Sequence, residues 1–274
     1  MTVPPALPMT PPPPQVRQFG PVNWVGLGTL YLKEVRRFLK VATQTVLAPL
    51  VTTLLFLAIF SLALGRAVQL VGGVPFSVFL APGLIMMAMV QNAFANTSST
   101  LTIAKVQGNI VDLLMPPLTP GELTLGLAAG GLTRGLAVGS VIGAVFALLL
   151  PMPLHNLFFV VYHAVAASLM LSLLGVLGGL WAEKFDHIAA VTNFVITPFA
   201  FLSGAFYSTE RLPGIWHTLA HLNPFFYMID GFRYGFIGHA DGSLTIGLFV
   251  LFGANAFLYW LTHRLFAIGY KLRP

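Results

Sequence analysis

Long stretches without charged residues divide the chain and predict its architecture. Lys, Arg, Asp and Glu are absent from 25 residues after Lys40, 38 after Arg66, 48 after Arg134, 23 after Asp186 and 22 after Asp241. A helix needs about 20 apolar residues to cross the hydrocarbon core of a bilayer. A proline-containing break at residues 151–156 divides the 48-residue stretch. The pattern predicts six transmembrane helices, at residues 44–64, 78–99, 122–150, 157–181, 189–206 and 244–264.

The composition indicates an integral membrane protein. Of the 274 residues, 57% are hydrophobic and 8% are charged, whereas a soluble domain carries about 25% charged residues. Continuous apolar runs predict helices rather than the alternating strands of a β-barrel. We therefore expect an all-α membrane protein in which residues 43–270 form the six-helix domain. Residues 1–22 contain eight of the 20 prolines, which predicts a disordered or polyproline-II tail.

Lys and Arg are distributed unequally between the two sides of the predicted helices, and this asymmetry predicts the orientation. With the N-terminus inside, ten basic residues fall on the inner side and three on the outer side. The inner residues are Arg17, Lys33, Arg36, Arg37, Lys40, Lys105, Lys184, Arg264, Lys271 and Arg273, and the outer ones are Arg66, Arg211 and Arg233. Six spans then leave both termini in the cytoplasm. Because this bias accounts for the net charge of +6, we do not expect nucleic acid as a partner.

Residues 23–42 have the pattern of an amphipathic helix. Apolar residues recur at steps of three and four, and basic residues form a second stripe with the same spacing. The apolar stripe is Trp24, Leu27, Tyr31, Val35, Phe38 and Ala42, and the basic stripe is Lys33, Arg36, Arg37 and Lys40. A helix of this kind suits the cytoplasmic headgroup layer of a membrane. The alternative is a soluble helix that packs on a partner.

Polar residues inside the predicted spans suggest a substrate path. Asn92, Asn96 and Ser99 fall on one face of the second helix, and because unpaired amides are costly in hydrocarbon, this face should point into the bundle. It either lines a path or forms hydrogen bonds between helices. Arg134 in the third helix either reaches the headgroups, pairs with a carboxylate, or contacts an anionic substrate.

A stripe of glycines in the third span permits close packing by another helix. Its members are Gly126, Gly130, Gly131, Gly135, Gly139 and Gly143. Packing within one chain and packing across a dimer are both compatible with this pattern.

Two cytoplasmic loops are candidate docking elements for another protein. Ile110, Leu113 and Leu114 form a short apolar ridge beside Asp112, which predicts a short amphipathic helix. The tight charged turn that contains Glu183, Lys184 and Asp186 is a second candidate contact.

The outer segment at residues 207–243 is predicted to form two short helices separated by a break at Asn223 and Pro224. This arrangement suggests a re-entrant or interfacial hairpin in the outer leaflet, where aromatic residues such as Tyr227 suit the headgroup region. Asp230 and Arg233 are spaced to pair on one helical face.

Sequence motifs for nucleotide chemistry are missing. No Gly-x-x-x-x-Gly-Lys-Ser/Thr loop occurs, so ATP hydrolysis in the usual way is not expected of this chain. One alternative function is a secondary transporter or channel, although such proteins usually carry an acidic residue well inside a span, and these spans have none there. The other is a membrane-embedded enzyme that uses His217, His221 and Asp230.

Several ordered motifs resemble the ABC-2 type permeases, and among them the Yad-type bacterial permeases. The motifs are APGLIMM at 81–87, QGNIVDLL at 107–114, TPFAFLSGAFY at 197–207, LP at 212–213 and HLNPFFYMIDGFRYG at 221–235. The resemblance covers about residues 24–270. It implies six helices, an N-terminal interfacial helix and an outer re-entrant hairpin.

The resemblance also implies a function. Such permeases export cargo from the bacterial inner membrane as a homodimer bound to two copies of a separate ATP-binding subunit, so no cofactor is expected on this chain. The segment with Gln107, Asn109, Ile110, Asp112, Leu113 and Leu114 would then be the coupling helix that docks on the ATPase, and the turn at Glu183, Lys184 and Asp186 a secondary contact. The resemblance does not specify a cargo.

Overall fold

Six helical stretches within the described residues are long and apolar enough to cross a bilayer. The computed structural model describes residues 20–65 and 69–272. The six stretches are Thr43–Ala63, Phe76–Val106, Pro120–Leu149, Leu157–Trp181, Phe185–Leu202 and Leu244–Ala267. Six candidate spans are thus found where six were predicted, although the second continues to Val106 instead of ending at residue 99 and the fifth lies at 185–202 instead of 189–206. Arg17, Arg66, Arg273 and residues 1–19 of the predicted tail lie outside the described part.

The elements follow one another in this order. Helix α1 (Trp24–Leu39) precedes a π-helical turn (Thr43–Leu47) and α2 (Ala48–Leu64). A small antiparallel pair, β1 (Leu70–Val71) and β2 (Val74–Pro75), leads into α3 (Phe76–Val106), α4 (Ile110–Leu114), α5 (Pro120–Leu149) and α6 (Leu157–Trp181). The fifth span contains α7 (Phe185–Val191), a π-helical turn (Thr192–Ile196) and α8 (Thr197–Leu202). A 3₁₀ turn (Thr209–Arg211) precedes α9 (Ile215–Leu222), α10 (Pro224–Ile237) and α11 (Leu244–Ala267).

Helix α3 is the most deeply buried of the spanning helices, and glycines let α5 and α6 approach it closely. A Cβ atom at Gly175 of α6 would lie 2.5 Å from the carbonyl oxygen of Phe94, and one at Gly135 of α5 would lie 2.9 Å from that of Met89. Gly131 and Gly139 contact α3 as well. Most of the glycine stripe therefore packs within the chain.

Helix α1 packs against α5 through a face that overlaps the predicted apolar stripe in part, since Phe38 of that stripe is buried and Tyr31 Oη lies 3.0 Å from Thr133 Oγ1 of α5. Leu30, Glu34 and Phe38 are buried, whereas Trp24 is 73% exposed. Gly126 and Gly130 of α5 provide the space, because a Cβ at either position would collide with the side chain of Leu30 or Glu34. The predicted apolar stripe is thus wrong at Trp24, and an acidic residue occupies the centre of the buried face.

The loops gather at two ends of the bundle. At one end, here called the basic end, the loops at 107–119 and 182–184 meet the start of α1 and residues 268–272. The side-chain amide of Asn23 donates to the carbonyl of Pro117 at 3.1 Å, and Lys271 Nζ lies 2.7 Å from Glu183 Oε1. The opposite end, here called the hairpin end, joins the 151–156 loop to α10, since the backbone N–H of His155 donates to Gly235 at 3.0 Å.

We predict that Gly175→Ala destabilises the bundle, because the added methyl group would push α6 away from the backbone of α3. Overpacking of this kind costs about 1–3 kcal/mol, more than the helix propensity of about 1 kcal/mol that Ala gains over Gly. Gly253→Ala in α11 is the control, since no atom lies within 4 Å of its Cβ position. We expect a lower unfolding temperature in detergent for Gly175→Ala and an unchanged or higher one for Gly253→Ala. Equal shifts would contradict the packing argument.

Candidate functional site

Helix α4 lies at the basic end and is anchored by part of the ridge that the sequence indicates for docking. Ile110 and Leu113 are only 9% and 4% exposed, because they pack in a cluster with residues of α1, α3, α5 and α6. The free surface of this segment is made by Val111, Asp112 and Met115 instead. Ile110 and Leu113 therefore offer little free surface to a partner. Their apolar character serves the attachment of α4 to the bundle.

Leu114 is half-buried against the same cluster as Ile110 and Leu113, whereas the other predicted docking residues are exposed at the same end. Gln107 and Asn109 precede α4, and Glu183, Lys184 and Asp186 surround the turn between α6 and α7. Lys271 forms an ion pair with Glu183 and lowers the pKa of that carboxyl below its usual value by hydrogen bonding and by its charge. Lys105, at the end of α3, donates to the carbonyl of Ala182 at 3.2 Å, so the two predicted segments begin close to each other.

A strip of α3 is left open between α2 and the fifth span, and we call this surface the α3 groove. Gln91, Asn92 and Ser99 of α3 border cavities on both sides of it. The cavity towards α2 has a volume of about 710 Å³, and the one towards α7 about 490 Å³. The predicted polar face therefore borders open space as well as other helices.

Arg134 of α5 reaches α3 and pairs with an amide. Its Nη2 donates to Asn92 Oδ1 at 3.0 Å, while Asn92 Nδ2 donates to the carbonyl of Ala88 at 2.9 Å. Arg134 also borders the cavity between α2 and α3. The predicted pairing with a carboxylate is not observed among the described residues, because the partner of Arg134 is a neutral amide.

Two turns further along α3, a buried carboxylate joins α1 to the groove. Glu34 is 0% exposed, and its Oε2 accepts hydrogen bonds from Arg37 Nη2 at 3.0 Å, Thr100 Oγ1 at 2.7 Å and Asn96 Nδ2 at 3.4 Å. Arg37 also donates to the carbonyl of Asn96 at 2.7 Å and to Ser99 Oγ at 3.3 Å. Arg37 is thus directed into the bundle, unlike the other members of the predicted basic stripe, which are exposed.

Sequence reasoning missed Glu34, although a signal was present. It stands four residues after Leu30 and four before Phe38, on the face that packs against α5. An acidic residue in the middle of an apolar helical face needs a partner when it is buried, and Arg37 stands one turn away to provide it.

At the hairpin end, the two helices separated by Asn223 are observed as predicted. Asn223 Oδ1 accepts from the backbone N–H of Phe225 at 3.0 Å, and its Nδ2 donates to the carbonyl of Phe199 at 2.7 Å. Pro224 begins α10, and Tyr227 packs against Gly247 of α11. His217 and His221 stack on exposed α9, with ring centroids 4.2 Å apart.

The predicted pair of Asp230 and Arg233 is wrong, because no ion pair within 4.0 Å joins these two described residues. Asp230 instead accepts from the backbone N–H groups of Asp241 at 2.8 Å and Gly242 at 3.0 Å. Arg233 donates to the carbonyl of Gly204 at 2.6 Å and lies over the ring of Phe79, 3.9 Å from its centroid. Both side chains therefore fasten loops at the hairpin end.

The family of the chain follows from comparison with known proteins. A family model described as ABC-2 type transporter matches residues 26–237, from α1 to the end of α10. The chain belongs to the ABC-2 type transporter family. This confirms the resemblance found in the sequence, and the match includes α1, α4 and the residues of the α3 groove.

Relatives support the same assignment over most of the length. Inner membrane transport permease YadH of Escherichia coli (strain K12) is 40% identical over 231 residues, which are 84% of this chain and 90% of that protein. Nodulation protein J of Neorhizobium galegae is 29% identical over 232 residues, 84% of this chain and 87% of that protein. The family and the six apolar helices support a multi-pass inner membrane protein that is a transport permease subunit.

We predict that Glu34 and Arg37 are energetically coupled. Glu34→Ala leaves Arg37 facing the bundle without its carboxylate, and because the Arg37 side chain is 31% exposed and keeps its bonds to Asn96 and Ser99, we expect a cost of about 1–3 kcal/mol. Once Arg37→Ala is present, removal of Glu34 should cost less, so a double-mutant cycle should give a coupling energy of about 1–3 kcal/mol. The measurement is the free energy of unfolding in mixed detergent micelles, with exposed Asp112→Ala as the control. Additive effects would disprove the coupling.

Proposed function

We propose that two copies of this permease assemble with two copies of a separate ATP-binding subunit and export a cargo across the bacterial inner membrane. The observation that carries the proposal is the family match over residues 26–237, together with a short helix that exposes apolar and acidic side chains at one end of the bundle. The basic end faces the cytoplasm in this proposal, so both termini are cytoplasmic.

Helix α4 and the turn at residues 183–186 form the ATPase contact. Met115 is 75% exposed and stands beside exposed Val111 and Asp112, a mixture of apolar and charged surface that suits a protein interface. Gln107 and Asn109 extend the same surface towards Lys184. Since Ile110 and Leu113 attach α4 to the cluster shared by α1, α3 and α5, movement of the ATPase would be transmitted to these helices.

The groove provides the path between the two permease copies. Helix α2 and the fifth span flank the α3 groove and are mostly exposed in the single chain. When two copies face each other across these helices, Asn92, Asn96 and Ser99 contribute polar groups near the path and Arg134 contributes a charge. Differential binding of ATP to the closed and open states of the ATPase would drive the change between inward-facing and outward-facing paths.

The exposed side chains of the bundle are of the types that suit contact with a membrane. Lys33, Arg36 and Lys40 form the exposed basic side of α1 and would contact phospholipid headgroups at the cytoplasmic surface. Helices α9 and α10 would form a re-entrant hairpin in the outer leaflet, held at its base by the contacts of Asp230 and Arg233. Phe249 and Phe252 of α11 are exposed and would contact lipid chains.

The docking surface can be tested with single substitutions. We expect Met115→Asp to weaken co-purification with the ATP-binding subunit about tenfold or more, because it places a charge in the apolar part of the interface. Leu154→Asp is the matched control, since Leu154 is exposed at the hairpin end. Equal recovery of the ATPase with wild-type protein and Met115→Asp would refute this contact, and normal gel-filtration behaviour of both variants is required.

The orientation can be tested separately, because the chain contains no cysteine. Asn109 and Leu154 are exposed at opposite ends of the bundle. A membrane-impermeant maleimide should label Leu154→Cys in intact spheroplasts and Asn109→Cys only after the membrane is opened. The reverse result would place the basic end outside.

A further inference from the structure

Arg134 carries a positive charge inside a spanning helix without an acidic partner. Among the described residues, no carboxylate lies within 4.0 Å of its guanidinium. Its Nη2 donates to the neutral amide of Asn92, and its buried Nε has no hydrogen-bond partner. A charge within the membrane is costly unless it is paired or solvated. The side chain therefore has unused capacity for an anion.

The nearest acidic group on the neighbouring α1 is already engaged. Glu34 packs against Gly130, one helical turn before Arg134, but its Oε2 accepts from Arg37 and from two neutral donors. Arg37 in turn donates to Ser99, which borders the cavity between α2 and α3. This part of the bundle thus contains two guanidinium groups and one carboxylate, and the carboxylate pairs with Arg37 alone, which leaves an excess positive charge beside the cavity.

The cavity that Arg134 borders has a polar part and an apolar part. Gln44, Gln91 and Ser99 line the portion nearer the basic end, whereas Phe56, Leu84 and Phe206 line the portion nearer the hairpin end. Its volume of about 710 Å³ lies within the range of about 300–1,000 Å³ typical of small-molecule sites. The polar and apolar portions follow each other along α2 and α3, so a ligand with a head and a tail would lie along the helices.

We propose that this cavity binds the cargo as an anionic amphiphile, with Arg134 contacting a phosphate or carboxylate headgroup and the apolar chain lying against Phe56 and Phe206. The guanidinium is suited to phosphate and carboxylate because it donates two parallel hydrogen bonds. A free anion would leave the apolar portion empty, and a cationic amphiphile would be repelled by Arg134. The proposal rests on the proposed transport function and specifies the chemical class of its cargo.

The test uses the full-length permease in phosphatidylcholine nanodiscs without any ATPase. Binding of radiolabelled dodecyl phosphate is compared with that of dodecylphosphocholine, which has the same chain and a zwitterionic head, and empty nanodiscs give the background. We expect dodecyl phosphate to bind about tenfold more tightly, as a charge-assisted hydrogen bond predicts. Inorganic phosphate at the same concentration should not compete, because it lacks the chain.

Substitution of the arginine provides the decisive comparison. Arg134→Gln should remove the preference for dodecyl phosphate, and Arg134→Lys should keep part of it. Arg264→Gln should keep all of it, since Arg264 is exposed at the end of α11 and away from the groove. Equal binding of the two amphiphiles to wild-type protein, or an unchanged preference in Arg134→Gln, would overturn the proposal, as would effective competition by inorganic phosphate.

A second measurement locates the site without altering Arg134. Dodecyl phosphate should slow maleimide labelling of Gln91→Cys severalfold and leave the labelling of Phe249→Cys, on the lipid-facing side of α11, unchanged. Equal effects at the two positions would overturn the assignment to the groove. Neither binding experiment contains the ATPase. A negative result would therefore overturn the assignment of the cargo class only, whereas a negative result in the co-purification test with Met115→Asp would concern the proposed function.

Discussion

Close packing of α5 and α6 on α3 is the constraint on which the rest of the bundle depends. The glycines on both helices bring their backbones against α3, and contacts at this range are a main source of helix association in a bilayer, where apolar burial alone gives little advantage. Because two sides of α3 are covered in this way and α10 covers part of a third, only the strip between α2 and the fifth span stays open. The groove is therefore a consequence of where the glycines lie.

The same packing determines which hydrogen-bond partners are available to the polar side chains of α3. Each polar group on α3 must find a partner within the protein, since the hydrocarbon provides none. Arg134 of α5 supplies a partner for Asn92, and Arg37 of α1 supplies one for Asn96 and Ser99. Glu34 offsets one of the two positive charges. The result is a line of hydrogen bonds from the middle of the bundle towards the basic end. This line joins the groove to α1, which in turn contacts the loop that follows α4.

The sequence was sufficient to predict the spans, because charge gaps and helix lengths are properties of single elements. The short helix at 110–114 and the two helices around Asn223 were predicted for the same reason. The direction of individual side chains was not predictable in this way. Leu113 turns inwards to pack against leucines of α1, α3 and α5, and Arg37 turns inwards to the Asn96 amide of α3. Asp230 accepts hydrogen bonds from two backbone N–H groups of a loop that begins eleven residues later, and forms no ion pair with Arg233. The direction of these side chains depends on contacts with other helices and loops, which cannot be deduced from the spacing of residues along one helix.

The two helices that flank the groove share an irregularity. Each begins or continues with a π-helical turn, at Thr43–Leu47 and Thr192–Ile196, and each turn is followed by a proline, Pro49 or Pro198. Proline removes a backbone donor, and a π turn widens the helix and displaces its regular hydrogen bonds. Bending at these positions consequently breaks fewer hydrogen bonds than bending elsewhere. The weakest points of the backbone ladder in both walls of the groove therefore lie at these two π-helical turns.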